Sequence, residues 1–137
     1  MMQRPGLSLV MTALLIVTIF CPAAYADQND ALINAIRRSD VKQVQELLKK
    51  GADAEAEDQH GSPAIVLAAE SDYRGRMELV KLLLGKGAEV NATTRGGWTT
   101  LMEAAMRGHL DLVKLCLDRG ADVDAKADRG RTALTEA

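Results

Sequence analysis

Two histidines, two cysteines (one of them, Cys21, within the first 26 residues) and an alternating acidic segment are the residues of this chain with types suited to chemistry. His60 and His109 would offer imidazole to a proton or a metal. A zinc site gathers several His, Cys or carboxylate ligands, and neither histidine has two further ligands close in sequence. Asp122, Asp124 and Asp128 alternate with other residues as calcium ligands do. Lys126 occupies a ligand position there, and the loop lacks both the glycine at its middle and the glutamate at its end. Gly85-Lys86-Gly87 and Gly96-Gly97 do not follow a strand and open a helix, as a phosphate cradle must, so they read as turns. Cys116 falls at an apolar helical position and reads as a small buried hydrophobe. No catalytic residue, metal or cofactor is expected.

The remaining composition points to packing. The chain has 137 residues and a net charge of −2, with 47% hydrophobic and 26% charged residues. That balance gives no electrostatic reason to expect nucleic acid or an anionic membrane as partner. Of the aromatics, Phe20 and Tyr25 lie in the first 26 residues, leaving Tyr73 and Trp98 for the rest. The core must be built from Ala, Leu, Val and Ile.

Residues 1–26 form a separate segment. Arg4 gives a short positive start, Leu7 to Phe20 is uncharged, Pro22 breaks the run, and Ala24-Tyr25-Ala26 offers small-x-small. This is the pattern of a secretory signal peptide, with cleavage expected between Ala26 and Asp27. The run is shorter than the roughly 20 residues that span a bilayer, so a membrane anchor is disfavoured. The expected destination is the periplasm or another secretory compartment. Removal of residues 1–26 takes Cys21 away and leaves Cys116 as the only thiol, so no intrachain disulfide is possible.

From Asp27 onward the chain repeats itself. Gly51, Gly87 and Gly120 are 36 and then 33 residues apart, and so are Gly61, Gly97 and Gly130. Such a period means stacked supersecondary units. In each, a glycine turn leads to a short helix that Thr99 or Thr100 can cap in the third unit. Gly108-His109 breaks that helix. A second helix follows, with Leu110, Val113, Leu115, Cys116 and Leu117 as its apolar positions. Their spacing suits burial on more than one side. Gly120 ends the helix through a positive φ, and Ala121 to Ala125 crosses to the next unit as an extended hairpin arm.

The unit resembles the ankyrin repeat. The opening matches are Asp58 to Ser62 with Ala68-Ala69, and Gly97-Trp98-Thr99 with Leu101 and Ala104 to His109. The second-helix and tail matches are Val80 to Leu84 with Gly87 to Ala92, and Val113 to Leu117 with Gly120 to Ala125. The resemblance implies an all-α solenoid of paired antiparallel helices joined by β-hairpin-like loops, with units at about 27–57, 58–93 and 94–126 and a partial one at 127–137. The first unit is polar, as an end-capping repeat should be. The family's T-P-L-H is missing throughout: its places hold Pro63 to Val66, Thr99 to Met102 and Thr132 to Thr135. The second unit carries three extra residues around Asp72-Tyr73-Arg74. The last unit stops at Ala137 within its first helix.

The resemblance further implies a protein-binding role for the concave face, carried by hairpin tips and first helices. The positions so assigned are Gln59, His60, Ser62, Glu70 and Ser71 in the second unit, and Arg95, Trp98, Met106 and Arg107 in the third. Asp128, Arg129 and Arg131 follow in the fourth, with Tyr73 on the insertion as a further candidate. Trp98 either anchors a partner or packs along its own hairpin. The arginines would give this end a basic rim and favour an acidic partner. The alternative is self-assembly through the open fourth unit.

Overall fold

The structure, a computed structural model, describes residues 22–71 and 75–136, with side chains from Asp27 onward. Tyr73 and nearly all of the expected signal segment lie outside the described residues.

The repeat resolves into helix pairs. They are α1 (Pro22–Arg37) with α2 (Val41–Lys49), α3 (Ala64–Glu70) with α4 (Arg76–Gly85), and α5 (Thr100–Met106) with α6 (Leu110–Asp118). A short α7 (Ala133–Glu136) packs beside α5. The inner helices α1, α3, α5 and α7 form one row, and α2, α4 and α6 back them. The expected all-helical solenoid is the fold observed. Helix α1 runs through the expected cleavage point, and from Asp27 onward its first buried residue is Leu32.

Small residues let the rows approach closely. Ala35, Ala64, Ala68, Ala69 and Ala104 are buried between Leu32, Ile36, Ile65, Leu79, Leu83 and Leu101. Each large aliphatic side chain removed from water contributes about 1.5–3 kcal/mol. Burial of α3 on nearly all sides, from Ala64 to Ala69, follows from having a neighbour both before and after it.

The helix ends are closed by local bonds. Asp40 caps α2 by accepting from the Gln43 N–H at 3.1 Å, and Thr99, not Thr100, caps α5 by accepting from the Met102 N–H at 3.2 Å. Thr100 is fully buried instead, and its Oγ1 has no hydrogen-bond partner among the described residues. The second helices end on left-handed glycines, Gly120 among them at φ 83°. Past each glycine an alanine N–H returns to the last turn: Ala52 to Leu47, Ala88 to Leu83 and Ala121 to Cys116, at 2.9–3.0 Å. In the place of T-P-L-H, Thr132 and Thr135 cap each other. The Thr132 N–H donates to Thr135 Oγ1 at 2.8 Å, and the Thr135 N–H donates to Thr132 Oγ1 at 3.4 Å.

Asparagines also hold the tails. Asn29 accepts from the Asp53 N–H at 3.0 Å within the first unit, and Asn91 accepts from the Asp122 N–H at 2.7 Å in the following unit. The second bond joins the tail of one unit to the tail of the next.

One expectation fails on α6. Leu112 and Cys116 are its buried positions, while Leu110 is 79% and Leu117 45% exposed. The helix is covered on the side of the preceding unit and open on the other. Burial pushes the Cys116 thiol up to about 11, which leaves it protonated and unreactive at neutral pH.

Gly97 and Gly120 separate two costs of adding a side chain. Both have positive φ, but a Cβ at Gly120 meets open space, whereas one at Gly97 would lie 3.1 Å from Ala127 Cα and 3.2 Å from the Lys126 carbonyl oxygen. Gly120→Ala should destabilise by about 1 kcal/mol through backbone conformation alone. Gly97→Ala should cost about 2–3 kcal/mol, because two hairpins must also part. Urea unfolding followed by circular dichroism measures both, and equal losses would contradict the contact between hairpins.

Candidate protein-binding face

Three hairpin tips line one edge of the stack. They share one backbone pattern: Asp58 N–H to Ser62 C=O, Thr94 N–H to Trp98 C=O, and Ala127 N–H to Arg131 C=O, at 2.8–3.0 Å. Isolated antiparallel bridges Glu57–Pro63 and Thr93–Thr99 flank the first two. The side chain that supports each tip changes along the stack. Asp58 Oδ1 accepts from the His60 and Ser62 N–H groups, both at 2.9 Å. Thr94 Oγ1 accepts from the Trp98 N–H at 3.2 Å. Ala127 is buried and has no polar side chain to offer, and the third tip turns through Arg129 at φ 67°.

The tips are joined to one another. The Asp128 N–H donates to the Gly96 carbonyl at 2.9 Å. The Arg95 side chain lies across Gly61, where any Cβ would meet it. The Arg131 guanidinium sits over the Trp98 ring, 5.8 Å from its centre. Trp98 is half-buried in this position, so packing along the hairpins and exposure to a partner coexist in one residue.

Behind the first tip is a recess of about 380 Å³ lined by Arg37, Asp58, His60, Ser62, Glu70 and Ser71, with Leu67 among them. The sequence brought His60, Ser62, Glu70 and Ser71 forward as candidates, and they do converge here. Gln59 stands beside them, its Nε2 3.2 Å from His60 Nε2. Arg37 and Asp58 complete the recess through an ion pair of 2.7 Å. Arg37 read as end-cap polarity in the sequence, and a separation of 21 positions carries no signal of the pair.

The charges differ from the expected basic rim. Arg107 is ion-paired to Glu103 within α5, and Glu103 is buried. Arg131 lies 3.8 Å from Glu136. Arg95 and Arg129 are exposed and form no ion pair among the described residues. Met106 is 47% exposed at the end of α5. Partial burial raises the Glu70 pKa from its ordinary value, and the neighbouring Glu103 carboxylate raises it further. Burial lowers the His109 pKa, helped by Arg76 and Arg107, so its imidazole is held neutral at the start of α6. Among the described residues, no cluster of three or more His, Cys, Asp or Glu is placed to hold a metal. No helix among them is long and apolar enough to cross a membrane.

A family model described as ankyrin repeats (3 copies) matches residues 10–94 and 73–137. The 2-5A-dependent ribonuclease of Mus musculus is 38% identical over 81 residues, which is 58% of this chain. The match covers 11% of that relative's length.

The Asp58 carboxylate gives a pH test. Burial would raise its pKa, but the Ser62 and His60 N–H groups and the Arg37 guanidinium outweigh that and lower it. A depressed native pKa contributes stability that is present above the ordinary carboxylate range and is lost as pH falls through the native value. Asp58→Ala should therefore cost about 1–2 kcal/mol at neutral pH, since two tip N–H groups lose their acceptor. The gap to wild type should narrow below the ordinary aspartate range. Urea midpoints measured from pH 7 to pH 2.5 check this, and a gap independent of pH would remove the ionised carboxylate from the account.

Proposed function

The chain belongs to the ankyrin-repeat family, and on that premise we propose that it is a non-catalytic binding module that holds a protein partner against its hairpin tips. Ankyrin repeats are in general protein–protein interaction modules. The observation that carries the reading here is Trp98 held half-exposed beneath Arg131 in the middle of the tip row. Trp and Arg are the side chains most enriched at binding hot spots, because each presents a large surface with a polar handle. The tip that carries Arg131 is tied to the tip that carries Trp98 by the Asp128 N–H on the Gly96 carbonyl, so less order has to be gained on binding.

The partner is proposed to carry an acidic patch. Arg95, Arg129 and Arg131 supply the positive charge, whereas Arg107 is occupied by Glu103. Gln59, His60, Ser62 and Met106 border this strip and are assigned as contacts, and Tyr73 is assigned with them from its place in the sequence.

The module is also proposed to act outside the cytoplasm after loss of residues 1–26. From Asp27 onward the buried residues of α1 are Leu32, Ile33, Ala35 and Ile36, all beyond the proposed cleavage point. Amino-terminal sequencing of protein recovered from the native compartment should begin at Asp27; a chain that retains Met1 refutes the export reading.

The binding face is tested with a partner captured from the native compartment. Trp98→Ala combined with Arg131→Ala should weaken binding at least about tenfold, with the helical circular dichroism signal unchanged. Unaltered affinity in that double variant would eliminate this face.

A further inference from the structure

Glu70 stands between two ion pairs and belongs to neither. Arg37 holds Asp58 on one side, and Arg107 holds Glu103 on the other. Glu70 itself forms no ion pair among the described residues. The repeat puts it there. Arg37, Glu70 and Met106 are the last residues of α1, α3 and α5, so the row runs from a cation through an anion to an apolar side chain. Arg37 is drawn to the hairpin carboxylate of Asp58 instead of its neighbour in the row. Partial burial and, behind it, the Glu103 and Asp58 carboxylates raise the Glu70 pKa more than Arg107 and Arg37 lower it. A charge kept where its surroundings disfavour it, with no structural partner in return, marks a functional position.

We propose that the recess of about 380 Å³ beside Glu70 takes a lysine or arginine side chain of the protein partner, its cation paired with Glu70 and its methylene stem laid along Leu67. The recess offers acceptors and an apolar wall, as such a side chain requires. Ser62 and Ser71 line it with Leu67. Asp58 lines it too, but its Oδ1 already accepts two N–H groups and its Oδ2 the Arg37 guanidinium. Glu70 is left as the uncompensated charge. His60 lies at the rim with its Nε2 3.2 Å from Gln59 Nε2, and Asp72 and Arg74, next in sequence, are of opposite sign. The preference for a cation stands on this geometry; only its source, a protein partner, rests on the binding role proposed above. That partner then carries opposite charges at two places, acidic toward Arg95, Arg129 and Arg131 and basic toward Glu70. An acidic residue facing Glu70 would be rejected, which makes the recess a determinant of specificity.

Butylammonium, which is the lysine side chain without its backbone, probes the recess in the full chain by NMR at pH 8, where an ordinary imidazole is neutral. It should shift the Leu67 methyl and the Ser62 and Ser71 amide signals, saturating on the order of tens of millimolar, as a ligand with few contacts does. The uncharged 1-butanol, with the same stem, should not. Glu70→Gln should weaken the butylammonium response at least about fivefold. The same variant should melt no lower than wild type, because the amide removes a charge that burial disfavours. Equal shifts with 1-butanol, a response that survives Glu70→Gln, no response at these residues, or a lower melting temperature would each overturn the proposal. Against the captured partner, Glu70→Gln should weaken binding at least about tenfold. Trp98→Ala with Arg131→Ala should leave butylammonium binding intact, so failure of the tip face and failure of the recess are told apart. A partner weakened by that double variant but indifferent to Glu70→Gln overturns the recess and spares the face.

Discussion

No unit of this chain can close a core by itself. A pair of helices seven to ten residues long buries one side against its own partner and leaves the next side bare. It becomes stable only when another pair covers that side, and stacking is therefore the interaction on which everything else depends. The requirement explains the alanines between inner helices, since close approach maximises contact when side chains are short. It explains why Asn91 bonds to the following unit's backbone rather than to its own.

The hairpin tips inherit their geometry from the stack. All three use the same backbone bond across four residues, although the supporting side chain weakens from an aspartate with two acceptor bonds to a threonine with one and then to an alanine. A lone tip with so little side-chain support would be a weak turn. Here the third tip is held from outside, through the Asp128 N–H on Gly96 and through Arg131 over Trp98. Position along the row substitutes for local turn chemistry at the third tip, which a backbone bond ties to the second.

This division also separates what the sequence made legible from what it hid. The units, their glycine ends and the class of fold followed from spacing, because a left-handed residue after each second helix recurs with the period itself. The cap on α5 was narrowed to two threonines, and only the entry of the chain from the hairpin decides for Thr99. Exposure was less legible. Leu110, Leu112, Val113, Leu117 and Cys116 are all apolar, and periodicity does not tell which of them faces a neighbour that is present. The ion pairs were invisible for a related reason: Arg37 reaches Asp58 across a unit boundary, and Glu103 could have met several cations before packing selected Arg107.

The arginines that looked equivalent in sequence are unequal once their partners are known. Removing Arg107 from Glu103 would leave a buried carboxylate without its cation, which costs far more than an exposed pair returns. Arg131 is held by a ring contact worth about 0.5–1 kcal/mol at an exposed site and by a long pair, 3.8 Å, with the partly buried Glu136. An incoming carboxylate can therefore draw Arg131 away from Glu136 at small cost while the ring keeps its direction. The same approach to Arg107 would meet competition from Glu103. Charge alone made both candidates; the close pair with Glu103 holds Arg107, whereas the 3.8 Å pair with Glu136 leaves Arg131 more loosely held.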